Sequence, residues 1–214
     1  MGVLFDMDGL LVDSEPLWFE VESSVMARLG GSWNEADQQA LVGGSLARSL
    51  DYLLAKAARP VPRDVVAGWM LGGMTELVAS STLPVMPGAR ELLTAVAEAG
   101  VPYALVTSSE RPIMEAVLDQ LDVRFPVTVC GDDVSRSKPD PEPYLLAAAK
   151  LGADPRRCVA LEDSPNGVAA AEGAGCLTIA VPSMVPIEAA NGRLVVASLT
   201  ELSLDRLREL AATR

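Results

Sequence analysis

The sequence predicts an α/β protein: a doubly wound parallel sheet with a small all-helical cap inserted after the first strand. Three observations predict it. From residue 86 onward, short apolar runs alternate with helical stretches, the pattern of a parallel sheet covered by helices. Residues 15–85 show helical periodicity only. The opening run Val3-Leu4-Phe5 ends in Asp6 and Asp8, where open α/β sheets gather their ligands. The expected division is therefore a core of residues 1–14 and 86–214 and a cap of residues 15–85.

Taken in order, the opening apolar run reads as a buried strand. Pro16 suits the first turn of a helix and Ser14 its cap. Leu17, Val21, Val25 and Leu29 continue that helix until Gly30-Gly31 stop it. Further helices are expected over residues 35–41, 46–58 (capped by Ser45) and 63–80. Gly68, Gly72 and Gly73 weaken the middle of the last. Pro84, Pro87 and Gly88 mark a linker. Helices are then expected over 89–99, 112–121, 141–152, 166–174 and 202–210. Strands are expected over 103–107, 127–130, 158–161, 177–181 and 194–198. Helices over a parallel sheet leave the insert above the strands' C-terminal ends, the position of a lid.

The chain has 214 residues, half of them hydrophobic and 21% charged, an ordinary globular balance. A net charge of −12 provides no basic stripe for nucleic acid and no attraction to an anionic membrane. No apolar stretch reaches membrane-spanning length and no export signal is expected, so a cytoplasmic location is. Cys130, Cys158 and Cys176 match no zinc spacing and read as buried, reduced thiols. The absence of histidine excludes Ser-His-Asp and Cys-His nucleophiles and His-ligated zinc. Proton transfer falls to carboxylates, lysine, tyrosine, cysteine or water. A monomer is expected.

Polar residues collect at the strand ends: Asp6 and Asp8 after the first, Thr107-Ser108-Ser109 after the second, Gly131-Asp132-Asp133 after the third and Glu162-Asp163-Ser164 after the fourth. Lys138 sits between Ser137 and Pro139-Asp140-Pro141. This set suits phosphoryl transfer. Carboxylates can hold Mg2+, a hard cation that takes oxygen ligands. Thr107 and the following N–H groups can bind phosphate oxygens. One of the first two aspartates is free to attack phosphorus and the other to move protons.

These motifs, in this order, resemble the haloacid dehalogenase superfamily. Within it they resemble the small-capped subgroup of β-phosphoglucomutases and sugar-phosphate phosphatases. Leu11-Val12-Asp13-Ser14-Glu15-Pro16-Leu17-Trp18 is most similar to the 2-deoxyglucose-6-phosphate phosphatase branch. The resemblance implies a magnesium-dependent phosphomonoesterase for a small phosphorylated metabolite, with a sugar phosphate expected. It implies Asp6 as nucleophile, Asp8 as acid and base, and Lys138 as the bridge from nucleophile to phosphate. Thr107 and Ser108 would bind phosphate. Asp6, Asp163, Glu162 and the backbone carbonyl of Asp8 would surround the metal. Ser45, Arg48 and Trp18 are the expected cap-side substrate contacts.

The departures concern the mutases. Where they carry a histidine this chain has Trp18, and where they carry a cap arginine it has Leu46, with Arg48 two residues on. A mutase needs a cation for the second phosphate of its intermediate, so hydrolysis is favoured and mutase activity is the alternative. Hydrolytic dehalogenation needs neither metal nor the second aspartate. A phospho-accepting receiver domain shares the Asp, Mg2+, Thr/Ser and Lys set but has no helical insert.

Overall fold

The computed structural model describes residues 1–213. A six-stranded, wholly parallel sheet runs in the order β3-β2-β1-β4-β5-β6. Its strands are β1 (Gly2–Phe5), β2 (Tyr103–Val106), β3 (Val127–Val129), β4 (Cys158–Glu162), β5 (Leu177–Ala180) and β6 (Arg193–Val195). β1 and β4 are buried along their whole length, as strands covered on both faces must be. The chain builds outward from β1 to β3, then returns to β4 on the other side of β1. The order therefore reverses between β1 and β4, and open α/β sheets bind ligands at such a switch point.

Between β1 and β2 lie α1 (Glu15–Arg28), α2 (Glu35–Gln39), α3 (Leu46–Lys56), α4 (Arg63–Ser80) and α5 (Ala89–Glu98). The later crossovers use α6 (Arg111–Leu121), α7 (Glu142–Lys150) and α8 (Pro165–Gly173), and α9 (Leu204–Ala212) closes the described chain. The expected elements are present, with ends differing by a few residues. The glycines of α4 do not interrupt it. Gly73 faces Val21 of α1, where a Cβ would come within 3.3 Å of Val21 Cγ2, so the two helices approach closely there. Val66, Met70, Met74 and Val78 recur every four residues and form the buried stripe of α4.

The chain leaves and re-enters the sheet layer at one place. Asp13 N donates to the Pro84 carbonyl at 2.9 Å, Met86 N donates to the Leu11 carbonyl at 2.9 Å, and Val12 pairs antiparallel with Val85. One continuous apolar cluster joins α1, α3 and α4 to the helices on that face of the sheet, with α4 packed on α6. The side chain of Gln120 on α6 fastens this contact, donating to the carbonyls of Val78 and Ser81 and accepting from Leu83 N. A smaller cluster, centred on Leu4, Tyr144 and Ala160, fills the other face. Cys130, Cys158 and Cys176 are buried. Among the described residues, no helix is long and apolar enough to cross a membrane.

The loop between α2 and α3 rests directly on the start of α8. Asn166 Nδ2 donates to the Val42 carbonyl at 2.9 Å. Gly43, at φ 64°, lies so close to Ser164 that a Cβ would meet its Oγ at 2.2 Å. Gly43→Ala combines left-handed strain with that overlap, so a loss of about 1–3 kcal/mol is expected. Urea unfolding checks this as a lower midpoint at unchanged slope.

Candidate active site

The sheet register determines which strand-end residues meet. Phe5 pairs with Leu161, so Asp6 and Glu162, the next residues of β1 and β4, lie side by side past the last core pair. Lys138 reaches into that gap from the loop before α7. Its Nζ donates to Asp6 Oδ1 at 2.6 Å, to Glu162 Oε1 at 2.6 Å and to the Val106 carbonyl at 2.9 Å. All three side chains are buried. Tyr144 of α7 donates its hydroxyl to the same Glu162 oxygen at 2.5 Å. The other oxygen, Oε2, accepts from Asp163 N at 3.2 Å and Ser164 Oγ at 3.4 Å. Gly167 of α8 leaves room for this carboxylate, since a Cβ there would overlap it.

Asp163 completes the floor. One oxygen each from Asp6, Glu162 and Asp163 lies within 4.8 Å of the others. Asp163 Oδ2 accepts from Ser183 Oγ at 2.5 Å. Gly9, at φ 77°, passes so close that a Cβ would sit 2.1 Å from that same oxygen. Three carboxylates face one ammonium, and the electrostatics show the excess. Burial pushes the Asp6 carboxyl up to about 7; Glu162 adds to the rise and Lys138 opposes it. Burial, then Asp6 and Glu162, raises Asp163 well above the usual range. Burial works against the charge of Lys138, but Asp6 and Glu162 outweigh it and raise its pKa. The uncompensated charge and the all-oxygen donor set fit a hard divalent cation.

Asp8 has a different environment. Ser14 Oγ donates to its Oδ1 at 2.5 Å and Trp18 Nε1 to the same oxygen at 3.4 Å. Ser109 Oγ donates to Oδ2 at 2.7 Å and Thr107 Oγ1 at 3.3 Å. Ser14 begins α1, but its side chain makes no cap bond there; the hydroxyl expected to cap the helix serves Asp8 instead. Thr107 Oγ1 also accepts from Ser109 N at 3.0 Å, which shapes the turn. Ser108 Oγ is buried and has no hydrogen-bond partner, an unmet donor beside the Asp6–Asp8 pair.

These residues floor a cleft of about 750 Å3, counting its open mouth. Asp6, Asp8, Lys138, Thr107, Ser108, Ser45 and Trp18 all line it. Glu162 and Asp163 lie beneath. Ser45 also caps α3 by accepting from Arg48 N at 3.4 Å. Arg48 itself falls outside: it is exposed and donates to the Ala40 carbonyl at 2.8 Å. Asp132 and Asp133 serve the neighbouring loops. Asp132 accepts from Arg111 N at 2.6 Å, and Asp133 from the Arg111 guanidinium at 2.6 Å and from Cys130 N at 3.1 Å.

Sequence reading passed over Ser14, Ser109, Ser183 and Tyr144 as site residues, and Glu15, Glu22 and Gln38 of the helical wall. Ser109 had a signal, as the third hydroxyl of the Thr107-Ser108-Ser109 turn. The others are polar residues on helices or loops whose partners, from six residues away for Ser14 to 23 for Gln38, only the docking of those elements reveals.

A family model described as haloacid dehalogenase-like hydrolase matches residues 1–175. The chain belongs to that family. It is 37% identical to hexitol phosphatase B of Escherichia coli K12, over 99% of this chain and 95% of that protein. It is 34% identical to hexitol phosphatase A of the same organism, over 96% and 94%. The crystal structure of CbbY from Rhodobacter sphaeroides in complex with phosphate superposes with a TM-score of 0.88, at 29% identity, covering 97% of this chain and 98% of that one.

Glu22 of α1 provides a pH test. Burial pushes its carboxyl up to about 8, Glu15 adds to the rise, and the Trp33 indole lowers it partly without closing a hydrogen bond. A carboxyl whose folded pKa exceeds its ordinary value of 4.5 binds more protons folded than unfolded. Its presence therefore costs stability progressively as pH rises from 4.5 to about 8, and no further above that. Glu22→Gln is expected to gain on the native chain by about 2–4 kcal/mol between pH 5 and pH 9. Thermal melts of both proteins at the two pH values measure it.

Proposed function

We propose that this hydrolase is a magnesium-dependent phosphomonoesterase acting on a small phosphorylated metabolite, a sugar phosphate, through an aspartyl-phosphate intermediate. The observation that carries the reading is the joint placement of Asp6 and Lys138 beneath Asp8, the Thr107–Ser109 hydroxyls and the cleft. The names of the hexitol phosphatases support the phosphorylated-carbohydrate class.

In this reading the core is residues 1–14 and 86–214 and the cap is residues 15–85. Lys138 fixes Asp6 for attack and offsets charge on the incoming phosphate. Ser108 Oγ, the Thr107 hydroxyl and the N–H groups of their turn bind phosphate oxygens. An Asp6 oxygen forms a bond to phosphorus while the bond to the leaving oxygen breaks, and Asp8 delivers its proton to that oxygen. Asp8 then takes a proton from water, which attacks phosphorus, releases inorganic phosphate and frees the Asp6 carboxylate. Ser14 and Trp18 tie Asp8 to the first turns of α1, so the acid is positioned partly by the cap.

Asp6, Asp163 and the Asp8 carbonyl would hold Mg2+. Glu162, whose two oxygens already have partners, would position Lys138 from beneath that set. When bound, the cation offsets the carboxylate charge and draws electron density from the phosphoryl oxygens.

A phosphomutase would need a cap-side cation for a second phosphate, and Arg48 points away from the cleft. Product analysis on glucose 1-phosphate separates the readings: inorganic phosphate is expected, whereas glucose 6-phosphate as main product would establish the mutase. With p-nitrophenyl phosphate, Asp6→Asn should lower kcat by about a thousandfold or more, and EDTA should abolish turnover until Mg2+ is restored. Full activity in the Asn variant would refute the nucleophile assignment.

A further inference from the structure

The wall of the cleft that the helices contribute is acidic and apolar, with no cation. It is formed by Glu15, Glu22, Gln38, Ser49, Met70 and Leu71. The two acids differ in what they already bond. Gln38 Nε2 donates to the Glu15 main-chain carbonyl at 2.8 Å and to Glu15 Oε2 at 3.1 Å, which holds that side chain. Glu22 is only 4% exposed and lines the cleft; its Oε2 closes no hydrogen bond, and the one donor acting on the carboxyl, the Trp33 indole, is itself buried without a partner. Buried carboxyl oxygens are rarely left so, and in a residue of the cleft wall a ligand group can complete the bond. Among the described residues that line the cleft, Lys138 is the one cation, and it is engaged by Asp6 and Glu162 at the floor.

We propose that Glu22 is the specificity-determining residue of the cleft, its Oε2 bonding a hydroxyl on the far end of a singly phosphorylated, uncharged polyol chain. The inference rests on the phosphatase reading and adds the character of the substrate's tail. A hydroxyl can satisfy Glu22 in either protonation state, because it both donates and accepts. Burial, which holds the Glu22 carboxyl up near about 8, makes the neutral acid the prevailing form at neutral pH. A tail ending in a carboxylate or a second phosphate would be buried against this wall without a counter-charge, and the site rejects it. A tail too short to reach leaves the Glu22 bond unmade, which lowers kcat/KM.

The magnesium-loaded enzyme is assayed by phosphate release from four compounds: sorbitol 6-phosphate, glycerol 3-phosphate, phosphoglycolate and fructose 1,6-bisphosphate. The native chain is expected to favour sorbitol 6-phosphate over glycerol 3-phosphate by about tenfold and over the two anionic-tailed compounds by about a hundredfold in kcat/KM. Glu22→Leu should cut the sorbitol-to-glycerol ratio by about tenfold, and Glu22→Gln, which keeps an acceptor oxygen, should recover part of it. If the Leu variant does not fold, the Gln variant still decides, with a ratio expected below that of the native chain. An unchanged ratio in the folded variants, or anionic-tailed compounds turned over as fast as sorbitol 6-phosphate, overturns the inference and leaves the phosphatase reading intact. No phosphate release by the native chain from any of the four or from p-nitrophenyl phosphate overturns the phosphatase reading, and the inference with it.

Discussion

The structure depends on one buried ammonium. Lys138 stands between Asp6 and Glu162 at 2.6 Å from each, away from water, and the two carboxylates could not both stay charged there without it. Removing the lysine would leave two uncompensated buried carboxylates, a far larger penalty than an ion pair itself gains. That constraint reaches outward. It requires β1 and β4 to be adjacent and in register, so that Phe5 and Leu161 end level. It requires Tyr144 to present its hydroxyl from α7, and Gly167 to leave α8 without a side chain over Glu162. Residues separated by more than a hundred positions are thereby held to one geometry.

The layout of the fold was legible because its signals are local. Alternating apolar runs and helical stretches, with glycine and proline at the joins, gave the order of strands and helices. A parallel sheet then obliged Asp6, Thr107 and Glu162-Asp163 to gather at one edge. The site legible from that rule is the floor. What stayed hidden depends on how helices dock. Ser14 has the right position and type for a helix cap, and only the placement of α1 shows that its hydroxyl turns to Asp8. Arg48 looked like the cap-side cation because it is near Ser45 in sequence, but the rotation of α3 sends it to the Ala40 carbonyl. Glu22 falls among apolar positions of α1, where periodicity gives no reason to single out a buried acid. Gly68, Gly72 and Gly73 lower helix propensity, yet packing of α4 against α1 and α6 overrides it.

The two halves of the cleft thus answer to different physics. The floor is an excess of negative charge around one lysine, an all-oxygen set that a hard cation would fit. The wall contributed by the helices is poor in charge of either sign that is free to pair. Asp8 joins them, held on one oxygen by Ser14 and Trp18 at the start of α1 and on the other by Ser109 and Thr107 after β2. Any movement of α1 relative to the sheet is therefore felt at this carboxylate.

The paired crossing at Val12 and Val85 has a broader consequence. Because the excursion from the sheet begins and ends at neighbouring backbone positions, its contents are topologically independent of the strands. A loop closed at its base can be lengthened, shortened or exchanged at small entropic cost, since closure depends only weakly on length. The reactive centre can thus be inherited unchanged while the segment above it is rewritten, and new recognition can arise by replacing that one segment.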